Sequence, residues 1–437
     1  MNYRKFAILS GLAVTLVLSL MFFGGPRAQA ASTWYVSPTG PASGTSGGSC
    51  TNPSFNTISL AIAAASNGDT IQVCAGTYNE QVQITKPLTL KGAKAGVDAR
   101  TRVTTNESII TNSGGPVQLM ADNVVFDGFT VQGSTGTDPN FISGIWSNPS
   151  FSGTQGGFQI LNNIVQNNIS GIELDSSCAA SATVVKFNLI QNNNNPGPGS
   201  GTGLQDNFVL CNATIDSNKF VGNSSSGALL FGPPVTSNGS NITVSNNEFS
   251  ANGGAIALLG VSSSTISGNN IHNSVGPGGA DIDVFGGVSG LTVTCNNLAS
   301  GPGRGIQVED PFSVGANSNV SVNNNNISGY PVGLEEDAGG YTPATANSLN
   351  ATNNWWSSST GPTIASNPGG TGEAIIDQDG VVKYNPFLTT FSSCAPAPQI
   401  GPPTNKDQCK QDGWMNFNVP RKFKNQGDCI QFVNTGK

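Results

Sequence analysis

An asparagine recurs eight times along this chain inside the same short apolar frame, at spacings of 22 to 30 residues. In the first seven copies an isoleucine or a valine stands three residues before the asparagine, and in all eight an apolar residue stands two residues after it. Self-similarity at a period of roughly 20–50 residues indicates a repeat fold, in which each unit buries its apolar side against its neighbours. The asparagines are Asn163, Asn188, Asn218, Asn247, Asn269, Asn296, Asn325 and Asn353.

One repeat, residues 158–175, shows what each unit contains. Three short segments alternate between apolar and polar residues, and asparagine pairs separate them. Period-2 alternation predicts β-strands, so each unit holds three. Such a unit is typical of one coil of a parallel β-helix. We therefore predict an all-β solenoid of about ten coils over residues 103–392, with each strand bonded to its counterpart about 4.8 Å away in the next coil.

The asparagine row has a structural explanation. A turn between two strands of a coil can require a left-handed residue, which asparagine tolerates. Stacked asparagine side chains can also hydrogen-bond from coil to coil. A second, partial row at a neighbouring turn consists of Asn168, Asn193, Asn223 and Asn252.

The first 30 residues are typical of an export signal. Arg4 and Lys5 precede an apolar run from residue 6 to 23, and residues 28–30 (AQA) provide a small-x-small cleavage pattern. An uncleaved membrane anchor is the alternative, because the run is near spanning length. We expect a secreted or cell-surface protein with no transmembrane anchor after signal cleavage. Residues 31–102 are assigned to an N-terminal cap and the first coils, with a helix at Thr57–Ser66 covering one open end.

The composition argues against several classes of partner. The net charge of −7 disfavours binding to nucleic acid and to anionic membranes. His272 is the single histidine, so the sequence offers little support for a transition-metal site.

Eight cysteines in an exported chain indicate disulfides. One pair flanks the predicted helix, a second lies near the same turn of successive repeats, and a third shares the C-terminal segment. The remaining two pair by elimination, although Cys295 could instead be a buried free thiol. The three predicted pairs are Cys50–Cys74, Cys178–Cys211 and Cys409–Cys429, and the remaining cysteines are Cys295 and Cys394.

The coil repeat, the asparagine row and the segment AGTYNEQVQITKPLTLKG (residues 75–92) together resemble the right-handed parallel β-helix proteins of the pectin-lyase-like superfamily, of the secreted bacterial type. The sequence NNWW at residues 353–356 is similar to the usual end of such a domain. The resemblance implies a right-handed solenoid and a site on the outer face of one strand row. Lyases, hydrolases, epimerases and adhesins share this fold, so the fold does not choose among them.

Residues 393–404 are predicted to be a Pro-rich linker, and residues 405–437 a separate small module stapled by one disulfide. The module carries six basic and three acidic residues, unlike the acidic remainder of the chain. Attachment to an acidic wall polymer and a purely stabilising role are both compatible with this charge.

Alternation in the third strand of each coil predicts which side chains point outward. Three consecutive coils then present acidic residues on one face, and Arg304 lies just before the same strand row. These acids are Asp281, Asp283, Glu309, Glu335 and Asp337.

Two chemistries fit this acidic face. Asp281, Asp283, Glu309 and Asp337 are candidate Ca²⁺ ligands, since Ca²⁺ takes six to eight oxygens. By resemblance to polysaccharide lyases, Arg304 or a lysine would then be the base in a β-elimination.

The second chemistry is inverting glycoside hydrolysis, with Asp283 as base and Glu335 as acid. Their strands are two spacings apart, about 9–10 Å, which is near the carboxyl separation of about 6.5–9.5 Å in inverting enzymes. Glu309 is a further candidate catalytic carboxyl. An ordinary solvated face is the structural alternative.

Trp146 and Phe231 are candidate sugar-stacking residues because they fall on strand ends or outward positions. The catalytic motifs of pectin hydrolases and pectate lyases are absent from the sequence. We therefore predict a protein that binds extracellular or cell-wall polysaccharide, without an evident catalytic set and with Ca²⁺ as the one candidate cofactor. A lyase or hydrolase of acidic glycans and a purely structural stalk or adhesin are the alternatives.

Overall fold

The structure, a computed structural model, describes residues 31–42, 44, 48–136, 143–149, 153–231, 239–276, 279–397, 403, 405–410, 414, 417 and 421–437. The predicted export signal at residues 1–30 lies outside this set. In the described part, the chain winds through successive coils of three short strands, and every strand pairs in parallel with strands of the neighbouring coils. The predicted parallel β-helix is therefore confirmed.

Three long sheets run along the solenoid. In order along the first sheet, the described strands are β1 (Thr33–Val36), β2 (Thr70–Val73), β5 (Thr89–Lys91), β8 (Val125–Asp127), β11 (Gln159–Leu161), β14 (Thr183–Lys186), β17 (Cys211–Asp216), β20 (Ser240–Ser245), β23 (Thr265–Ser267), β26 (Thr292–Thr294), β29 (Ser321–Asn323), β32 (Leu349–Asn350) and β35 (Val382–Lys383). Those of the second sheet are β3 (Gly76–Tyr78), β6 (Ser108–Thr111), β9 (Thr130–Gln132), β12 (Ile164–Gln166), β15 (Leu189–Gln191), β18 (Lys219–Val221), β21 (Glu248–Ser250), β24 (Asn270–His272), β27 (Asn297–Ala299) and β30 (Asn326–Ser328). Those of the third sheet are β4 (Val82–Ile84), β7 (Val117–Leu119), β10 (Ser143–Ser147), β13 (Ser170–Leu174), β16 (Thr202–Gln205), β19 (Ser226–Phe231), β22 (Gly254–Leu259), β25 (Ala280–Val284), β28 (Arg304–Val308), β31 (Val332–Glu336), β34 (Gly372–Asp377) and β33 (Pro362–Thr363).

The core is a column of stacked side chains inside the three sheets. Ile160, Val185 and Ile215 pair in register on adjacent strands and are fully buried. Phe220 and Phe249 stack one coil apart with ring centroids 4.7 Å apart. Because each coil covers the apolar side of the next, the hydrophobic stabilisation is shared along the whole solenoid.

The asparagine ladder forms as predicted, except at its last member. Asn218 shows the pattern: its Oδ1 accepts hydrogen bonds from the backbone N–H and the Nδ2–H of Asn188, at 3.0 and 2.9 Å. The eighth member is Asn354, which accepts from Asn325, so the prediction of Asn353 is wrong by one residue. The same shift makes Trp356, which is fully buried, the core residue of this coil.

The left-handed turn residue is not the ladder asparagine but the residue before it. The ladder asparagine directs its amide into the turn, where it bonds to the adjacent coils, and its predecessor makes the bend. Positive φ values of 53 to 67° are found at Asn162, Phe187, Ser217, Asn246, Gly268, Cys295, Asn324 and Asn353. The second row, from Asn168 to Asn252, is hydrogen-bonded as predicted.

A short helix covers the N-terminal end of the column. Helix α1 (Ile58–Ala64) buries Ile58, Ala61 and Ile62, and the Thr57 side chain caps it by accepting from the backbone N–H of Leu60. This confirms the predicted helix at Thr57–Ser66 to within two residues. Covering an open end protects sheet edges that would otherwise pair with other chains.

All three predicted disulfides are present, and the remaining two cysteines form a fourth, Cys295–Cys394. The alternative of a free Cys295 is therefore wrong. In the C-terminal module, a 3₁₀ turn (Asp407–Cys409) and helix α2 (Gln426–Thr435) are joined by the Cys409–Cys429 bridge. Among the described residues, no helix has the length and apolar character needed to cross a membrane.

Candidate functional site

The outer face of the third sheet carries a single in-register row of side chains. Strand pairing aligns each of them with its counterpart in the next coil. This confirms the alternation used to predict the outward positions of Asp283, Gln307 and Glu335. The row runs Gln83, Gln118, Trp146, Glu173, Gln205, Leu229, Ala257, Asp283, Gln307, Glu335 and Ile376.

Asp281 does not belong to this outward face, which corrects the prediction. It occupies a position near the start of the third-sheet strand that points toward the corner of the coil. A Cβ at Gly227, the equivalent residue two coils earlier, would lie 2.4 Å from the Phe249 ring. Ala255, the equivalent residue one coil earlier, packs in the core for the same reason. In the other coils the position is filled by Gly144, Gly171, Gly203, Gly227, Ala255, Gly305 and Gly333.

The Asp281 side chain instead completes the second polar row. That row continues beyond Asn252 through Ser274, Gly301 and Tyr330, which follow left-handed residues as its asparagines do. The Asp281 carboxylate accepts hydrogen bonds from the Ser274 hydroxyl and the Tyr330 hydroxyl. Burial raises the pKa of Asp281 to about 6, although these two hydrogen bonds act to lower it. Its role is thus internal to the coil.

The other predicted acids do gather on the outer face. Gln307 lies between Asp283 and Glu335, and its Nε2–H groups donate to Glu309 at 3.2 Å and to Asp337 at 2.9 Å. Asp283 and Glu335 are only 6% and 7% exposed. These acids are therefore not an ordinary solvated stripe, because solvated carboxylates would be exposed to water.

Asp283 and Glu309 form a close carboxyl pair. Burial, above all, and the neighbouring Glu309 carboxyl, within hydrogen-bonding reach, together raise the pKa of Asp283 to about 8. Burial and the Asp337 charge raise the pKa of Glu309. Two carboxyls at this distance cannot both ionise cheaply, so one proton is held between them near neutral pH.

Arg304 and Glu335 form an ion pair at the edge of this group. The hydrogen bond that Arg304 donates to the Glu335 carboxylate raises the pKa of Arg304 above its usual value, so Arg304 is unsuited to act as a base. The protonated Asp283 is likewise a poor base and a better acid. The raised pKa values of both groups therefore argue against the predicted roles of Asp283 and Arg304 as bases.

The predicted calcium set is not assembled. Asp281 points into the corner of the coil, away from the outer face that holds Asp283, Glu309 and Asp337. Over the part of the chain that the structure describes, no group of three or more His, Cys, Asp or Glu side chains is arranged to hold a metal ion.

A cleft of about 380 Å³ adjoins the acidic group, over strands β19, β22 and β25. Asp283 forms one of its walls. The rest of the lining is largely apolar or small and includes Leu229, Phe231, Ala257, Phe285 and Phe312. Phe231, one of the two predicted sugar-stacking residues, is thus placed in a cleft at a half-buried position.

Two of the aromatic residues in the cleft, Phe285 and Phe312, were not predicted as site residues. Phe285 follows the last inward residue of β25 directly, so extending the alternation by one position would have found it. Phe312 lies in a loop without periodicity, and its ring, 61% exposed, sits 6.0 Å from that of Phe285. Asp310 shapes this loop by accepting from the backbone N–H groups of Val314 and Gly315 at 2.9 and 3.0 Å.

Trp146 lies in the outward row but is 1% exposed, so the prediction that it stacks on a sugar is wrong. Its neighbour Glu173 is fully buried as well, close to Asp175 and Asp206. Burial raises the pKa of Glu173 to about 7 and that of Asp175 to about 6. This part of the row belongs to the protein interior.

Several solved structures are similar to this chain over most of its length. Pectate lyase Pel9A is 14% identical, over 86% of this chain and 92% of its own, with a TM-score of 0.46. The A-module of mannuronan C-5 epimerase AlgE6 from Azotobacter vinelandii is 15% identical, over 76% and 94%, with a TM-score of 0.43. The Dettilon tailspike protein is 14% identical, over 79% and 68%, with a TM-score of 0.46. No curated protein matches the sequence.

A family model agrees with the observed course of the chain. Residues 199–367 match the model described as a right-handed β-helix region. This stretch contains the cleft, the Asp283–Glu309 pair and most of the asparagine ladder. Residues 199–367 therefore correspond to a right-handed β-helix region, and the three parallel sheets continue the same architecture on both sides of this stretch.

Proposed function

We propose that this protein binds an extracellular polysaccharide along the outer face of the third sheet. The cleft over β19, β22 and β25 is the observation that carries the proposal. It combines an aromatic and apolar lining with the Asp283 carboxyl, next to which lie the Glu309 carboxyl and the Gln307 amide. Binding sites are typically built this way, with an apolar surface and a few polar groups that fix orientation. Sugar rings match it, because they offer apolar faces to aromatic rings and hydroxyls to polar side chains.

The shape of the face supports a polymeric ligand. The outward row continues through successive coils at a spacing of about 4.8 Å, so a chain of sugars can follow the solenoid axis. Four disulfides are consistent with an oxidising, extracellular setting. Binding to cell-wall or secreted polysaccharide is therefore compatible both with the continuous outward row and with the four disulfides.

The Phe312→Ala variant tests this proposal. Phe312 is exposed, so its truncation leaves the core intact, and removing an aromatic contact at the centre of a binding surface weakens binding roughly tenfold. Affinity electrophoresis in gels containing neutral, amino-sugar or acidic polysaccharides measures the change. Phe391→Ala is the matched control, since Phe391 is 45% exposed and packs on Trp355, outside the cleft. Equal retention of the two variants on every polymer would contradict the proposal.

A second candidate function is acid-assisted hydrolysis of the bound glycan. The observation that favours it is the carboxyl pair, in which Asp283 holds a proton at neutral pH beside the cleft. A neutral carboxyl so placed can donate its proton to a glycosidic oxygen. Release of reducing ends by the wild-type protein, lost in Asp283→Asn even at saturating glycan, is the expected result. An undiminished rate in Asp283→Asn would exclude this role.

A further inference from the structure

We propose that the cleft is selective for a glycan that carries free amino groups, with an ammonium group seated among Asp283, Glu309 and Asp337. This inference rests on the proposed glycan binding and names its substrate class. An acidic glycan, by contrast, would meet like charge at this wall.

The charge of the wall is one argument. Asp283, Glu309, Glu335 and Asp337 stand together against the single guanidinium of Arg304, which already pairs with Glu335. The surrounding cleft contributes phenylalanine, leucine, alanine, glycine and serine side chains and no basic one among its lining residues. A carboxylate of a uronic acid would therefore gain no cationic partner here and would be repelled.

An unsatisfied buried acceptor is the second, independent argument. Asp283 Oδ1 is inaccessible to solvent and accepts no hydrogen bond, although Asp283 lines the cleft. A buried acceptor without a donor costs free energy, which a ligand that supplies the donor recovers. Asp283 as a whole is only 6% exposed, so the unsatisfied acceptor belongs to a buried side chain.

An ammonium group matches the arrangement of acceptors. It has three N–H donors and a full positive charge. Glu309 and Asp337 already share one donor, the Gln307 side-chain amide, so both lie around the same point. A cation seated beside the Gln307 amide would replace repulsion among the carboxyls by attraction. The shared proton of the Asp283–Glu309 pair would then leave as the amine binds.

Paired ligands that differ in N-acetylation alone test the inference. Titration calorimetry compares glucosamine oligomers with N-acetylglucosamine oligomers of the same length. The free amine should bind at least about tenfold more tightly, because the acetylated oligomer lacks one charge-assisted hydrogen bond. Titrations at a pH below the pKa of the sugar amine, where the free oligomer is already an ammonium, in two buffers with different ionisation enthalpies should show net proton release on binding of the glucosamine oligomer.

Variants locate the effect. Asp283→Asn and Asp337→Asn keep the side-chain shapes and should remove the preference for the free amine by roughly tenfold, since each deletes one charge from the seat. Glu248→Gln is the matched control: Glu248 lies on the second sheet, paired with Lys219, and its change should leave the preference as it is.

The outcomes separate this inference from the proposed function. Equal binding of the free and acetylated oligomers, or tighter binding of a polyuronate, would overturn the amino-sugar inference and leave glycan binding intact. Binding of no glycan in the panel would overturn both. An amine preference that survives in Asp283→Asn and Asp337→Asn would also overturn the inference, because the seat would then lie elsewhere.

Discussion

Replacing the buried Glu173 by glutamine should make the protein resistant to a loss of stability that the wild type suffers between pH 4.5 and pH 8. Glu173 is fully buried in the outward row, and its carboxylate accepts hydrogen bonds from Ser143 and Asn148, each at 3.4 Å. Burial, above all, raises its pKa from 4.5 to about 7 in the folded protein. These long hydrogen bonds do not offset the desolvation of the charged form.

The direction in which stability changes with pH follows from proton linkage. The folded state holds the Glu173 proton more tightly than the unfolded state, so the stabilisation is present in full below pH 4.5. It is lost as the pH rises through about 7. A pKa change from 4.5 to about 7, at about 1.4 kcal/mol for each tenfold change, corresponds to about 3 kcal/mol of unfolding free energy.

Urea unfolding at pH 4.5, 6, 7 and 8, followed by far-ultraviolet circular dichroism, measures this difference. The wild type should lose about 3 kcal/mol more than Glu173→Gln between the two extremes. Glu248→Gln is the control: hydrogen bonding to His272, above all, lowers the Glu248 pKa to about 2, so its contribution is constant above pH 4.5. Parallel pH profiles for the wild type and Glu173→Gln would refute the reasoning.

Two further predictions concern the polar rows. Asn218→Ala should lower the unfolding free energy by about 3–5 kcal/mol, because it leaves the buried Asn188 backbone N–H and the Val185 carbonyl without their partners. Ser217→Gly, at the adjacent left-handed position, should cost less than about 1 kcal/mol. Urea midpoints compare the two variants, and equal losses of stability would contradict the division of roles between the two positions. Tyr330→Phe removes a hydrogen-bond donor to Asp281, whose pKa is about 6. It should therefore destabilise the folded protein by about 1–2 kcal/mol at pH 8, where Asp281 is ionised, and by less at pH 5. Urea unfolding at the two pH values measures the difference, and a larger loss of stability at pH 5 would contradict this prediction.

The strand positions could be predicted because the chain repeats. The helix was predicted to within two residues at each end. The one-residue error at the end of the ladder has a simple cause. Asn353 and Asn354 are adjacent and chemically identical, and so are Trp355 and Trp356. Only the hydrogen bond from Asn325 distinguishes the two registers.

The acidic face could be predicted in part. Alternation placed Asp283 and Glu335 correctly because both lie in the regular middle of their strands. It failed at Asp281, where the strand leaves the corner of the coil and the side chain turns inward. It also could not show burial: Trp146 has the correct facing and is nevertheless covered.

The sequence by itself determined the solenoid, since a recurring apolar frame can be buried only by stacking one coil on the next. It also determined the cysteine pairs within neighbouring coils and the direction in which most third-strand side chains point. The tertiary structure decided which of those side chains form a site. Burial, the proton shared by Asp283 and Glu309, and the meeting of Phe285 with Phe312 depend on loops and on contacts between coils. These features depend on contacts between residues that are far apart in the chain, so a local sequence pattern cannot predict them.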